Sequence, residues 1–420
     1  MIHIIHVLIY SISFIFLLIS CIGVGKTSSE IESNEVNNTI DLAIGFKNIQ
    51  EVRLSEIADG VTFLPFETTR QSLMGEGQKN LIFDSKFIFY FDKCFDWNGK
   101  YFGSIIKKGQ GPFEEPEGGE LLFKDNHFYS QGSKFIEYDL TGKPTGKVRN
   151  LYTARDLSKN NFLRGGSSFS AVGESFIIYD YPTTLYYFNK NFETISSKIV
   201  VQTDSDSLPP YIPSIGDNKY VTYFKDNILF YNFINDTIFY VTETSMNPQW
   251  IVRFDDQLRL PTQAMLNSNQ LIRELQSHIR SGSIENSALI NLTDNKHKVI
   301  ATYETEKYIF FQMTEIIQFA ISRGKQPPDP YIIYYNKGTG KTIRVKGRGF
   351  VDDLLGMDFF YPQLGVFDEK LITFIWPFEL IDYIKDSREI GREVNTQLLS
   401  LSKQVKEDDN PILILIHLKK

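Results

Sequence analysis

The fold is decided by the stretch from Leu81 to Arg149, which reads LIFDSKFIFYFDKCFDWNGKYFGSIIKKGQGPFEEPEGGELLFKDNHFYSQGSKFIEYDLTGKPTGKVR. Its first part, Lys86 to Asp92, is rich in the aromatic and β-branched residues that favour strands. The Asn98-Gly99 pair then predicts a tight hairpin, because both residue types tolerate positive φ. Tyr101 to Ile106 is predicted to be the returning strand.

The same pattern restarts after the loop KKGQGP, Lys107 to Pro112. Turn residues divide the sequence that follows into four short segments, each long enough for one antiparallel strand. These predicted strands are Glu120 to Phe123, His127 to Ser130, Lys134 to Asp139 and Lys143 to Arg149. The stretch therefore holds two copies of a unit in which short strands pair with their neighbours in sequence.

Similar units recur along the whole chain. Some strands end in aromatic-x-aromatic followed by Asp or Asn, and we use that last residue to mark the unit. The markers are Asp92, Asp139 and Asn189, and successive markers are 47 and 50 residues apart. An isolated four-stranded sheet cannot bury both of its faces, and radial repetition solves that problem. We therefore predict an all-β protein, a six-bladed β-propeller of four-stranded antiparallel blades. The last three units are Tyr220 to Phe254, Lys298 to Val345 and Leu364 to Leu418.

A propeller of this kind must also close its ring. Asn48 to Glu67 supplies strand-like sequence before the first full unit. We expect it to pair with the last blade beside Ile412 to Leu418, because this pairing joins the two ends of the chain and removes an exposed sheet edge.

Three parts of the sequence carry a resemblance to a known family. They are RLSEIADGVTFLPFETT (Arg53 to Thr69), the block of strand, NGK, strand and KKGQGP, and the apolar last strand. From Arg53 to Lys420 the chain resembles the six-bladed β-propeller lipoproteins of Gram-negative bacteria, relatives in shape of the NHL-repeat propellers. Members usually carry Gly after GQGP, where this chain has Phe113. The resemblance implies a fold and an envelope location, and it implies no catalytic residues.

The N-terminus predicts export. Residues 1–20 are interpreted as a signal peptide, because the apolar run Ile4 to Ile19 is short for a membrane span. Leu18-Ile19-Ser20-Cys21 resembles a lipobox, in which the Cys thiol receives a diacylglycerol. We expect residues 21–45 to be a flexible tether, residues 46–420 to be the propeller, and acylated Cys21 to hold it in the outer membrane. A plain secretory peptide and an uncleaved anchor are the alternatives.

Composition narrows the chemistry. The net charge of −7 argues against a general nucleic-acid surface. The chain has two Cys, so with Cys21 acylated we expect Cys94 to be a buried, unpaired apolar residue. The histidines and acidic pairs show no metal-ligand spacing, and we predict neither a metal site nor a cofactor.

Two stretches break the strand pattern and are predicted to be helical insertions, at about 261–282 and 378–406. The second stretch contains an apolar stripe, whose residues are at helical spacing. Asp386 and Glu389 precede the stripe with the spacing of a capping box, which predicts a helix start there. The insertions either pack over blade surface or form a lid or docking surface. The stripe consists of Ile390, Val394, Leu398, Leu401 and Val405.

The candidate ligand-binding residues lie in the inter-blade loop KKGQGPFEE and on two aromatic side chains. Loops that join the outer strand of one blade to the inner strand of the next gather around one mouth of the channel, so polar groups there can contact a ligand. A rigid inter-blade turn, and packing of both tryptophans, are the structural alternatives. The candidates are Lys107, Lys108, Gln110, Glu114, Glu115, Trp97 and Trp376.

Three functional hypotheses fit these features. The first is an envelope lipoprotein without catalysis, whose propeller face binds a glycan, a peptide or an envelope protein. The second is a carbohydrate-active or other hydrolase or lyase, which predicts polar residues with shifted pKa values at the channel mouth. The third is a structural subunit, which predicts a broad apolar patch on the helical insertions.

Overall fold

The structure is a computed structural model. It describes residues 38–75, 81–115, 119–132, 134–150, 168–180, 184–199, 221–225, 227–233, 235–259, 277, 296–315 and 329–420. Within this part of the chain, six antiparallel sheets follow one another as the blades of a ring. The predicted all-β, six-bladed propeller is therefore confirmed.

The described residues begin with a segment that precedes the first blade. This segment contains β1 (Thr39–Asp41), α1 (Leu42–Lys47), β2 (Ile49–Gln50), α2 (Leu54–Ile57) and β3 (Ala58–Pro65).

Blades one to three are four-stranded meanders. Blade one contains β4 (Leu81–Phe83), β5 (Phe87–Tyr90), β6 (Lys93–Asp96) and β7 (Tyr101–Ser104). Blade two contains β8 (Glu120–Lys124), β9 (His127–Gln131), β10 (Lys134–Tyr138) and β11 (Pro144–Asn150). Blade three contains β12 (Ser168–Val172), β13 (Ser175–Asp180), β14 (Thr184–Phe188) and β15 (Thr194–Ile199).

Blades four to six recruit strands from the N-terminal segment. Blade four contains β16 (Val221–Phe224), β17 (Asn227–Asn232), β18 (Thr237–Val241) and β19 (Met246–Arg253). Blade five contains β20 (His297–Glu304), β21 (Tyr308–Glu315), β22 (Tyr331–Asn336) and β23 (Lys341–Val345). Blade six contains β24 (Gly365–Phe367), β25 (Lys370–Ile375), β26 (Ile412–Leu418) and, as its outermost strand, β3.

The first strand of each blade lies at the axis. Contacts between first strands of neighbouring blades show this, since β8 contacts β12, β16 contacts β20, and β20 contacts β24. Side chains that reach inward from these strands therefore line the axial channel, as expected for a propeller.

The ring is closed by the two ends of the chain, as predicted. β3 pairs antiparallel with β26, with Val61 opposite Ile416 and Leu64 opposite Leu413. The loop after β3 is then fastened by Asn410, whose side chain is 1% exposed. Its Nδ2 donates to the Glu67 and Ser72 carbonyls at 2.8 and 3.1 Å, and its Oδ1 accepts from the Met74 N–H at 2.7 Å.

The N-terminal segment also covers the rims of blades four and five. β1 adds a fifth, parallel strand to β19, and β2 adds one to β23. Between them, Phe46 of α1 packs against His297, with 4.9 Å between the ring centroids, and the Arg344 guanidinium lies 5.8 Å from the Phe46 ring. The predicted tether, residues 21–45, therefore extends too far. Residues 39–41 pair with the open edge of β19, and residues 42–45 lie in α1.

Turns between the third and fourth strands share one device. In blade one, Asp96 Oδ1 accepts from the Asn98 and Lys100 N–H groups at 2.8 and 2.9 Å. Asp139 and Asn189 do the same in blades two and three. The residue of blade one that corresponds to them is thus Asp96, 43 residues before Asp139. The predicted marker Asp92 was wrong, because it lies in the turn between β5 and β6.

The hairpin predicted at Asn98-Gly99 is present, and it needs glycine. Gly99 has a φ of 77°, and a Cβ there would lie 2.1 Å from the Pro65 carbonyl oxygen at the end of β3. Only a residue without a side chain fits this close approach. The turn thus connects blade one to the strand that closes blade six.

Large aromatic rings fill the spaces between blades. Phe89 and Phe128 meet edge-to-face at 6.1 Å between blades one and two, and Tyr179 and Phe230 meet at 4.7 Å between blades three and four. Cys94 is buried among the rings of the first of these interfaces, unpaired, as predicted. Burial raises the pKa of its thiol, with smaller contributions from the Asp84 and Asp96 carboxylates. The thiol is therefore protonated and unreactive at neutral pH.

The second helical insertion contains two helices, α3 (Pro377–Glu389) and α4 (Thr396–Ser402). Leu380 and Ile384 of α3, with Leu398 and Leu401 of α4, pack into the core between blades five and six. The predicted continuous stripe is interrupted, because Gly391 has a φ of 70° and the neighbouring Ile390 is 70% exposed.

The predicted capping box of this insertion was also wrong. Asp386 and Glu389 lie in the last turn of α3. The first turn is capped by Glu379, whose Oε2 accepts from the Trp376 N–H at 3.0 Å. The insertion predicted at 261–282 lies outside the described residues, apart from Ser277.

Candidate functional site

The loop predicted to bind a ligand is closed upon itself. Glu115 is fully buried and its Oε1 accepts from the Lys134 N–H at 2.8 Å. Glu114 Oε2 accepts from the Gly111 N–H at 2.9 Å. The Lys134 ammonium donates to the Gly111 and Glu114 carbonyls at 2.7 and 2.8 Å. Both carboxylates therefore stabilise an inter-blade turn, which is the structural alternative given above.

The remaining polar side chains of this loop stay at the surface. Lys107, Lys108 and Gln110 are exposed, and a main-chain bond from the Glu115 N–H to the Lys107 carbonyl holds the loop at 2.9 Å. The structure thus places these three side chains together on one rigid loop, but separates them from the two glutamates.

The two candidate tryptophans pack against other rings. Trp97 stacks on Phe367 at 5.5 Å and Phe83 at 6.1 Å, and its Nε1 donates to the Asp84 carbonyl at 2.8 Å. It therefore seals the junction between blades six and one. Trp376 precedes α3 and stacks on Phe378 at 6.4 Å. The predicted lipidation residue, Cys21, lies outside the described residues.

A different set of side chains meets at the axis. Tyr223, on the inner strand β16, is 41% exposed, yet burial raises the pKa of its phenol. Both observations fit a ring that faces a narrow channel, where water reaches the side chain but protein surrounds it. The position was missed from the sequence because VTYF resembles any other short aromatic strand.

The groups that act on Tyr223 come from three other blades. Hydrogen bonds from the Ser170 side chain and the Ala171 main chain, on blade three, favour the ionised phenol. The carboxylates of Asp84 on blade one and Glu120 on blade two oppose its ionisation and raise its pKa. Blades one and four are opposite in a ring of six, so the interaction between Asp84 and Tyr223 crosses the axis.

The two carboxylates differ in their surroundings. Burial raises the pKa of Asp84, although its Oδ1 accepts from the Lys86 N–H at 2.9 Å. Glu120 Oε2 accepts from the Phe169 N–H at 3.0 Å, which links blades two and three beside the channel. The channel thus presents a phenol, a hydroxyl and two acidic groups.

Lys298 lies on the inner strand of blade five. Burial lowers the pKa of its ammonium to about 7.

Unpartnered buried polar atoms are concentrated near the same inner strand. Thr302, Tyr303 and Glu304 of β20 each carry one, as do Asp352 and Tyr361 in the connection to blade six. Glu304 is nevertheless paired through its other oxygen, with the Lys337 ammonium at 2.5 Å and the Tyr240 hydroxyl at 2.9 Å. Glu304 therefore faces blade four, whereas Tyr303 lies against Gly365 of blade six. Internal water can satisfy such buried groups.

Among the described residues, no three His, Cys, Asp or Glu side chains are grouped as metal ligands. A search of the same residues for a helix with the length and apolar character of a membrane span found none.

Comparisons with known proteins agree with the architecture. The chain matches a putative exported protein from Bacteroides fragilis with a TM-score of 0.60 and 16% identity, over 91% of this chain and 99% of that one. It also matches the N-terminal domain of Nup159 with a TM-score of 0.36 and 10% identity, over 75% and 72% of the two chains. At such identities the likeness concerns the fold alone. No curated protein matches the chain.

A family model covers almost all of the described part of the chain. The match runs over residues 37–417, from the strand that begins on the rim of blade four to the last strand of blade six. The chain belongs to the DUF4934 family, a domain family of unknown function.

Proposed function

We propose that the protein is an exported, lipid-anchored binding protein that holds a segment of a neutral glycan in the axial channel of its propeller. The observation that carries this proposal is the position of Tyr223. It is partly exposed on the inner strand of blade four, and the Asp84 and Glu120 carboxylates of two other blades act on its phenol and raise its pKa.

The chemistry of the channel favours a ligand rich in hydroxyl groups. Carboxylates accept hydrogen bonds from sugar hydroxyls, protein hydroxyls both donate to and accept from them, and an exposed aromatic ring offers an apolar face. Two acidic groups disfavour an anionic ligand by like-charge repulsion. A peptide or an envelope protein remains the alternative ligand, which the binding test distinguishes.

The cellular location is part of the same proposal. The LISC sequence ending at Cys21 supports acylation, and the resemblance to propeller lipoproteins, including their NHL-like shape, supports the outer membrane. A similar structure is that of a protein named as exported. Mass spectrometry of the protein from cell membranes tests this part, since a Cys21 that carries no diacylglycerol would contradict it.

The binding proposal is tested on an array of neutral and acidic glycans. We expect retention on neutral glycans, weakened about tenfold by Tyr223→Phe and by Asp84→Asn, since each removes one polar contact worth about 1.4 kcal/mol. Tyr101→Phe is the matched control, because its hydroxyl lies 2.8 Å from Ser104 on an outer strand. Retention on no glycan, or equal loss in all three variants, would refute the channel as a glycan site.

A hydrolase or lyase is the second candidate, because burial raises the pKa of Asp84, which favours the acid form that proton donation needs. Catalysis also needs a base, and Lys298 on the inner strand of blade five is the candidate, because burial lowers the pKa of its ammonium to about 7. Incubation of the retained glycans with the protein separates the candidates. Release of shortened products would establish the enzyme.

The structural-subunit hypothesis has less support. It requires an apolar patch on the insertions, whereas the apolar faces of α3 and α4 pack into the core. The exposed side of α3 carries charged residues, among them Asp382, Lys385 and Arg388.

A further inference from the structure

The rim of blades four and five carries three large aliphatic side chains on its outer surface. Ile44 of α1 is 54% exposed, Ile49 of β2 is 51% exposed, and Ile251 of β19 is 39% exposed. We call these three residues the rim patch. Exposed aliphatic side chains are ordinary when scattered, but a group of them marks an interaction surface.

Strand pairing and the path of the chain link the three residues. Ile251 pairs directly with Thr39 of β1, and α1 begins immediately after β1. Ile49 follows α1 by one residue and pairs with Arg344 on the adjoining blade. The rim patch therefore lies along the segment formed by β1, α1 and β2.

Three cations lie beside the rim patch. Lys47, Arg253 and Lys346 are exposed there. Of the carboxylates on the N-terminal segment, Asp41 is engaged as the cap of α1, since its Oδ1 accepts from the Ile44 N–H at 3.1 Å. Exposed cations are thus available next to the apolar side chains in a chain of net charge −7.

We propose that the rim patch lies against the surface of a lipid bilayer, with its cations near anionic headgroups. Apolar side chains flanked by lysine and arginine are the chemistry of interfacial membrane contact. The point at which the chain enters the propeller favours this partner. The described chain begins at Asn38, directly before β1, and the 37 residues ahead of it contain the apolar run and Cys21.

This inference rests on the lipid anchor of the proposed function and adds an orientation to it. Sixteen residues lie between Cys21 and Asn38, so the two can be at most about 60 Å apart. Attachment at that end favours an approach in which blades four and five reach the membrane first, because β1 and β2 pair with those blades. The disc then stands edge-on, and the axial channel runs along the bilayer surface.

The test uses residues 38–420, which form a compact unit separate from residues 1–37 and contain every described strand. An N-terminal histidine tag holds this unit on vesicles with nickel-chelating lipids, so acylation of Cys21 plays no part. Single cysteines are introduced as Ile44→Cys and Ile49→Cys and labelled with an environment-sensitive dye. Cys94 does not compete for the label, because it is buried.

Ile195→Cys is the matched control, since Ile195 is 57% exposed on the outer strand of blade three. We expect brominated lipids to quench the dyes at positions 44 and 49 at least about twofold more than the dye at 195, and more strongly on phosphatidylglycerol vesicles than on phosphatidylcholine vesicles. Lys47→Glu should reduce the difference between the two lipids.

Two results would overturn the proposal. One is quenching that is absent, or equal at all three positions. The other is a dye response at positions 44 and 49 that appears without vesicles and grows with protein concentration, which would identify a second copy of the chain as the partner. Failure of the anchor is scored separately, by the mass of Cys21.

Discussion

Asn410 is expected to be the most important polar side chain of the closure. Replacement by Ala removes three hydrogen bonds and leaves the Glu67 and Ser72 carbonyls and the Met74 N–H without these partners. Net contributions of such bonds are about 0.5–1.5 kcal/mol each, and unpaired buried groups cost more. Because the side chain is 1% exposed, water cannot replace it. Asn410→Ala should therefore lower the free energy of unfolding by about 2–4 kcal/mol.

Urea unfolding followed by circular dichroism measures this loss. Trp97 fluorescence is a local reporter, because its ring lies in the junction between blades six and one. Asn247→Ala is the matched control, since that exposed side chain makes one bond, to Ser245 at 3.0 Å, and should cost less than about 0.5 kcal/mol. A loss below about 1 kcal/mol for Asn410→Ala, or one equal to the control, would refute the role of this latch.

The remaining predictions concern pH and packing. Burial, helped by the Arg344 charge, lowers the pKa of His297 to about 4 from 6.5, so the fold favours neutral imidazole. The stabilisation by neutral His297 is complete above pH 6.5 and is lost as the pH falls towards 4. The free energy of unfolding, measured in urea, should fall by up to about 3 kcal/mol over this range. His297→Gln should weaken this pH dependence. Gly365→Ala should destabilise by at least about 2 kcal/mol, because its φ is 92° and the new Cβ would meet the Tyr303 ring at 2.1 Å. The control, Gly340→Ala, has a φ of 67° and open space, so only backbone strain of about 1 kcal/mol is expected. Equal thermal shifts in the two glycine variants would contradict the packing argument.

The architecture could be predicted because its signals are local. Aromatic strand segments and turn residues mark each blade, and the apolar run ILILIHL at the end of the chain predicts a buried central strand. The pairing of β3 with β26 followed from the need to close a ring. Even here a local signal was misleading, since Asp92 and Asp96 both follow aromatic residues and the hydrogen bonds that distinguish them are visible only in the structure.

The candidate site could not be predicted in the same way. Glu114 and Glu115 look like ligand-binding groups in the sequence, but their partners, Gly111 and Lys134, are specified by the path of the loop. Tyr223 and Asp84 are 139 positions apart, and only the ring brings them face to face. The rim strands β1 and β2 are equally hidden, because a short segment that completes an existing edge needs little strand propensity of its own.

The central claim is that six blades form a closed ring with Tyr223 facing Asp84 across its axis. It is tested most directly by placing a fluorotyrosine, whose phenol ionises nearer to neutral pH, at position 223 and following its fluorine resonance through a pH titration. Burial and the facing carboxylates should raise its pKa above that of the free amino acid, and Asp84→Asn should bring it down. An unshifted pKa that does not respond to Asp84→Asn would contradict the closed ring and the channel site together.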